Sequence, residues 1–299
     1  MTDDLLTAGE LAELDRLRRH LAFRTATDAQ GAQASRRRGQ SPEFVDHRPY
    51  APGDDLRRLD WNVLARSDQT VIKRYRAEEE AAVRIAVDVT GSMGIGEPPK
   101  LPLALKIAAA VAYLALSDGE RAQVASLSRR GVDLSPAKRG RGQFGALHAL
   151  LGRFDADPPG EESPMPDATM GELLRRCGRS GVLVVITDAL APRGDIDAWP
   201  RALVRAKASG HDVRLIQVLA PDDIDPPWDS DLELVDAETG GTVDVTFDAE
   251  ARAAYAHRLE ALVAALREGC RRARASYARA QSDEALAPVV RRLAAGGID

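Results

Sequence analysis

The sequence predicts an α/β fold: a doubly wound, mainly parallel sheet with an N-terminal helical and irregular extension. Three observations carry this reading. The stretch Val83-Arg-Ile-Ala-Val-Asp88 is an apolar, β-branched run that ends in an aspartate. A second run of the same kind, Val182-Leu-Val-Val-Ile-Thr-Asp188, follows far downstream. Such runs suit strands buried on both faces of a parallel sheet. Between and after them, strand-like and helix-like segments alternate, as in a sheet covered by helices on both sides.

Residues 5–24 read as an amphipathic helix, with Leu11, Leu14, Leu17 and Leu21 on one stripe. Thr25–Ser35 is polar and reads as a loop. Residues 36–80 alternate short apolar stubs with turn chemistry. Pro52-Gly53-Asp54-Asp55 is a turn by residue type, and Thr70–Tyr75 reads as a strand. Lys100–Leu116 is apolar on most faces, as a helix over the sheet centre should be. Arg121–Ser128 and Val132–Ala137 read as strands joined by Arg129-Arg130-Gly131. Phe144–Phe154 and Met170–Cys177 read as helices around the acidic, Pro-rich loop Asp155–Asp167.

After Val182–Thr187 come a helix near Ile196–Ser209 and a strand at Val213–Leu219. Leu232–Val235 and Val243–Thr246 form a hairpin around Glu238-Thr-Gly-Gly241. Asp248 caps a long helix with Tyr255, Leu259, Leu262, Val263, Leu266 and Cys270 at helical spacing. The organisation expected is an N-terminal helix and linker over 1–35, a segment over 36–80 packed on the core, and the α/β domain over 81–299.

Ligand sites in open α/β sheets lie beyond the carboxyl ends of strands, where strand order reverses. That rule brings Asp88, Thr90, Ser92 and Asp188 together. Hard oxygen donors with net negative charge suit an octahedral divalent cation such as Mg²⁺, at roughly 2.1 Å from each ligand. The bland alternative is a capped strand-to-helix turn.

The spacing Asp88-x-Thr90-x-Ser92 resembles the metal-ion-dependent adhesion site of von Willebrand factor A domains, written Asp-x-Ser-x-Ser. Asp188 matches that family's later aspartate. Upstream, Glu43-Phe44, Arg48-Pro-Tyr50-Ala-Pro-Gly53-Asp54-Asp55, Arg58-Leu-Asp60-Trp61 and Ala65-Arg66 look like the signature of the domain of unknown function 58 family. The resemblance runs from about residue 35 to the C-terminus. It implies a von Willebrand factor A-like fold of Rossmann-type topology and a non-enzymatic, protein-binding module. Mg²⁺ or Mn²⁺ would be held by Asp88, Thr90, Ser92 and Asp188, with an open position for a partner's carboxylate. The family's loop threonine has no counterpart at the expected place, where Arg139-Gly-Arg-Gly-Gln143 stands. Gln143 is either a weak carbonyl ligand or the mark of a degenerate site. The resemblance also implies a MoxR-type AAA+ ATPase partner and a client protein matured, or loaded with cofactor, by the pair.

Two alternatives accompany this reading. One is a metal-free module that recognises its partner electrostatically. Residues 16–76 hold 14 Lys/Arg against 7 Asp/Glu although the whole chain has a net charge of −5, so a basic segment stands beside an acidic body. The other is a Mg-dependent phosphoryl-transfer enzyme with Asp88 as nucleophile and Asp222-Asp223 as its acidic motif. Val89 and Thr90 stand against that, since neither a lysine nor a second aspartate follows Asp88 at the required places.

The signature segment reads as a packing element, with Trp61 and the Pro-Gly turn as its wedge. Arg36-Arg37-Arg38 lacks interleaved aromatics or a nucleic-acid motif, so no nucleic-acid partner is expected. Cys177 and Cys270 have no CxxC spacing, and the five histidines are scattered. No apolar run approaches the ~20 residues of a membrane span. The acidic Met-Thr-Asp-Asp start does not read as a secretory signal, so the expected localisation is cytoplasmic.

Overall fold

The structure is a computed structural model that describes residues 5–18, 44–51, 59–67, 69–75, 81–178 and 180–295. The chain divides into two compact units, one of residues 29–80 and one of residues 1–28 with 81–299. In the smaller unit, β1 (Phe44–Pro49) pairs antiparallel with β2 (Val71–Tyr75), and a helix spans Trp61–Ser67. Leu59 bridges to Ile72, and both are buried. Trp61 stands at the start of its helix. The Pro52–Asp55 turn, Arg58, Arg36–Arg38 and the Thr25–Ser35 loop lie outside the described residues.

The larger unit is built on a sheet of β3 (Ala82–Asp88), β4 (Arg121–Ser128), β5 (Gly131–Leu134), β6 (Lys138–Arg139), β7 (Val182–Thr187), β8 (Asp212–Leu219) and β11 (Ser276–Gln281). A separate hairpin is made of β9 (Asp231–Val235) and β10 (Thr242–Thr246). The sheet order is β11-β8-β7-β3-β4-β5, with β6 also on β4. All neighbours from β11 to β4 are parallel, and only β5 and β6 run antiparallel. The chain leaves β3 to one side for β4 and returns to its other side as β7. The order therefore reverses between β3 and β7, the strands that carry the two aspartate motifs.

Every residue of β3 and β7 is buried, which explains their unbroken apolar sequence. Val83, Ile85 and Val87 face one core with the helix Lys100–Ser117, the N-terminal helix Ala8–Leu17 and the C-terminal helix Leu286–Ala295. Ala86, Leu183 and Val185 face the other, against the helices Pro166–Arg176, Ala198–Ala208 and Ala249–Ala273. This is the doubly wound, three-layered α/β arrangement expected. Asp248 caps the Ala249–Ala273 helix by accepting the Ala251 N–H at 2.9 Å. Thr7 and Glu10 form a capping box on the N-terminal helix.

Beyond the sequence reading, the chain continues after its long helix into β11 and the Leu286–Ala295 helix. The strand Ser-Tyr-Ala-Arg-Ala-Gln is short, lies at a sheet edge and mixes Ser, Arg and Gln with Tyr277 and two alanines, so it lacks the apolar run that announced β3 and β7.

Candidate functional site

Asp88 ends β3 and Asp188 directly follows β7, so the two lie at the carboxyl ends of adjacent parallel strands. Asp88 is 3% exposed and Asp188 fully buried. The Asp88 carboxylate is fixed by its neighbours: Oδ1 accepts the Thr90 N–H at 3.1 Å and the Thr90 hydroxyl at 2.8 Å. Its Oδ2 accepts the Thr187 hydroxyl at 2.6 Å. Thr90 and Ser92 hydroxyls stand 3.4 Å apart. Among the described residues, no cationic side chain pairs with Asp88. Burial, and then the charge of Asp188, push its carboxyl up to about 7 against the pull of the hydrogen bonds.

Asp188 is differently placed. Its Oδ1 accepts the Leu190 N–H at 3.0 Å, and its Oδ2 lies 3.0 Å from the Lys100 ammonium. Lys100, 1% exposed, also lies 3.1 Å from Asp223 Oδ2. Burial alone would lower the Lys100 pKa, but the two carboxylates outweigh it and hold the pKa above its ordinary value. A buried lysine between two aspartates was not foreseen. In sequence it is merely the first residue of an apolar helix.

The pocket at this end of the sheet has a volume of about 430 Å³ and is lined by Asp88, Thr90, Ser92, Lys100, Thr169 and Asp223, among others. Glu238, at the tip of the β9–β10 hairpin, also reaches it. Asp188 is fully buried and does not line the pocket.

Gln143 is not at the site. Arg139 of β6 pairs with Arg121, and Arg121 pairs with Ala82 at the opposite end of β3. Six residues of strand, ~20 Å, separate that end from Asp88. Gln143 follows Arg139 in an exposed turn there. Thr169, buried in the first turn of the Pro166–Arg176 helix, lines the pocket with Thr90 and Ser92, as do Ser128, Ser163 and Thr239. Its signal in sequence was slight: a threonine shortly after Pro166-Asp167, just ahead of the apolar stripe Met170 and Leu173. Of the signature residues, Arg48, Tyr50, Asp60 and Trp61 belong to the smaller unit, where Asp60 caps its helix through the Asn62 N–H at 3.0 Å. Gly53, Asp54, Asp55 and Arg58 lie outside the described residues.

Among the described residues, no group of three or more His, Cys, Asp or Glu side chains is placed to hold a metal ion, so the donors offered to a cation on the Asp88 side are one carboxylate and hydroxyls. Three carboxylates (Asp88, Asp188, Asp223) face one ammonium. Asp88, left without a counter-charge, shares its cavity with the hydroxyls of Thr90, Ser92 and Thr169. Asp188 fits less directly, because it does not line the cavity and its Oδ2 is ion-paired with Lys100.

Residues 46–264 match the family model described as Protein of unknown function DUF58. The uncharacterized protein Rv1480 of Mycobacterium tuberculosis is 33% identical over 239 residues, 78% of this chain and 73% of its own. An uncharacterized protein of Mycobacterium avium is 37% identical over 131 residues, 42% of this chain and 73% of its own. Among solved structures, the conserved hypothetical protein BatB of Bacteroides thetaiotaomicron aligns with a TM-score of 0.43 at 12% identity, over 71% of this chain and 96% of that one. An aerotolerance-related membrane protein of Bacteroides fragilis aligns with a TM-score of 0.41 at 14% identity, over 73% and 98%.

Proposed function

Because the chain belongs to the family of proteins of unknown function DUF58, we propose that it is a non-enzymatic module that docks a partner protein through the pocket between β3 and β7. The observation that carries this reading is the gathering of Asp88, Thr90, Ser92 and Thr169 around one cavity at the switch point of the sheet. Mg²⁺ or Mn²⁺ bound there by Asp88 and the three hydroxyls would supply an open coordination position for a partner's carboxylate. Thr90 and Thr187 orient Asp88, and Lys100 pairs with Asp188 and Asp223, which leaves Asp88 without an ammonium partner among the described residues.

The partner proposed is a MoxR-type AAA+ ATPase, the pair acting as a chaperone that matures a client protein or inserts its cofactor. The support is the resemblance of the signature segment and the docking pocket. The same proposal places the protein in the cytoplasm. The helix Lys100–Ser117 has the length and apolarity of a membrane span, but 83% of it is buried inside the fold.

Phosphoryl transfer from Asp88 is less well supported. Asp88 is followed directly by Val89 rather than a lysine, and Thr90 stands where a second aspartate would be needed. A metal-free docking site is the second reading, and Lys100 favours it, since its ammonium already neutralises part of the carboxylate cluster.

Thermal melts with and without Mg²⁺ decide between these two. With Mg²⁺ at 100 times its dissociation constant, the wild type is expected to gain about 2.7 kcal/mol and Asp88→Ala almost nothing. No shift of the wild type with either Mg²⁺ or Mn²⁺ would leave the metal-free reading standing.

A further inference from the structure

The β9–β10 hairpin is built as an arm with a docked tip. Its two strands pair only with each other and not with the main sheet. Along it Val235 and Val243 are 59% and 57% exposed, so the shaft is largely free of the body. Its base is anchored, with Phe247 buried against Trp228 and under the Arg252 guanidinium. Its tip is closed by Asp236, whose Oδ1 accepts the N–H groups of Glu238 at 2.8 Å and Thr239 at 3.3 Å.

The tip delivers Glu238 into the candidate docking pocket. Glu238 Oε1 accepts the Ser92 N–H at 3.0 Å, and its Oε2 accepts the hydroxyl of the buried Ser163. The Glu238 carbonyl accepts the Gly160 N–H at 2.7 Å. The backbones come so close that a Cβ on Gly91 would lie 2.3 Å from the Ala237 carbonyl oxygen. Ser92 is one of the residues expected to hold the cation, and the group set beside it is a carboxylate on a tether.

We infer that the pocket contains a seat for a side-chain carboxylate, filled here by the chain's own Glu238, and that an acidic residue of the partner takes the same seat when the hairpin tip lifts. The inference rests on the docking reading and names the chemistry of its ligand. The seat supplies one backbone N–H and one hydroxyl to a carboxylate, a charge-assisted pairing. A tethered occupant acts as a competitor at an effective concentration of roughly millimolar. The free protein is therefore self-capped, and a partner must offer enough contact to displace Glu238.

Glutarate, a free dicarboxylate of glutamate-like reach, is the probe. The Ser92 amide signal is followed by ¹⁵N NMR as glutarate is added to wild type and to Glu238→Ala, in buffers with and without Mg²⁺. The variant is expected to show a saturable Ser92 shift in at least one buffer. In wild type the midpoint should lie at least about tenfold higher, because the tethered carboxylate competes. Glu238→Gln, which keeps the length and backbone contacts of the tip, should fall between the two and covers the case in which truncation disturbs the hairpin. A variant that shows no saturable shift in either buffer, or the same midpoint as wild type, overturns the inference. If the wild-type melt still responds to Mg²⁺, the docking site stands and only the seat is lost; if neither responds, the metal-dependent docking reading fails with it.

Discussion

Lys100 lies 3.0 Å from Asp188 and 3.1 Å from Asp223, with 1% of its surface exposed. Breaking a buried ion pair leaves an uncompensated charge, which costs about 3–5 kcal/mol. Lys100→Met is therefore expected to lower stability by that order even though methionine fits the apolar helix, and denaturant unfolding measures it. Asp188→Ala should destabilise for the mirror-image reason. Asp88 behaves oppositely, because its carboxyl is pushed up to about 7 by burial and by Asp188. Between the ordinary carboxylate range and about 7, the folded protein keeps a proton that the unfolded chain has lost. Stability therefore falls as pH rises through that window and levels off above it. Asp88→Asn removes this loss, so its melting temperature should gain on the wild type from pH 5 to pH 7 and hold its lead at pH 8. A gap independent of pH would mean that Asp88 carries no such penalty. Asp88 and Asp188 were legible in the sequence because each ends an apolar run. Lys100 was not, since nothing local distinguishes a lysine that begins a helix at the surface from one buried against the carboxylates that follow β7 and β8.

At the scale of elements, the pocket depends on which helix end meets the carboxyl ends of the strands. The Pro166–Arg176 helix starts beside Asp88 and brings Thr169 into the cavity. The turn holding Gln143 was placed there by its order along the chain, but β5 and β6 run antiparallel to β4 and carry the chain back to the amino end. Order along the sequence does not say when a strand reverses, and so it does not show that Gln143 lies away from the pocket. The expected consequence is a clean contrast in Mg²⁺-dependent melts. Thr169→Val, nearly equal in shape, should lose most of the Mg²⁺ response, whereas Gln143→Thr should leave it unchanged. A Gln143 variant that altered the response would contradict the topology. The strands buried on both faces announced themselves by unbroken apolar sequence. β11 did not, because an edge strand whose apolar residues are broken up by Ser, Arg and Gln shows no such signal.

Across the whole molecule, the reversal of strand order between β3 and β7 opens a crevice where parallel strands end. Sequence runs alone placed that crevice, since the two apolar strands with terminal aspartates could only be central. What they did not reveal was its cover, the hairpin bearing Glu238, because the contact between residues 92 and 238 joins distant parts of the chain. The two docking readings therefore part at the level of the assembled complex. Interactions between exposed charges are screened within about 10 Å at 0.1 M salt, so a partner held by surface electrostatics should dissociate as ionic strength rises and ignore chelator. A partner whose carboxylate completes the coordination of a cation in the pocket should survive the same salt and be released when the cation is removed. The native protein can be captured from its own host, washed in parallel with high salt and with chelator, and its companions identified in each wash. We expect a AAA+ ATPase to persist in salt, leave with chelator, and be absent from the Asp88→Ala capture. An ATPase that left with salt alone, or stayed on the Asp88 variant, would move recognition away from the pocket and onto the charged surface.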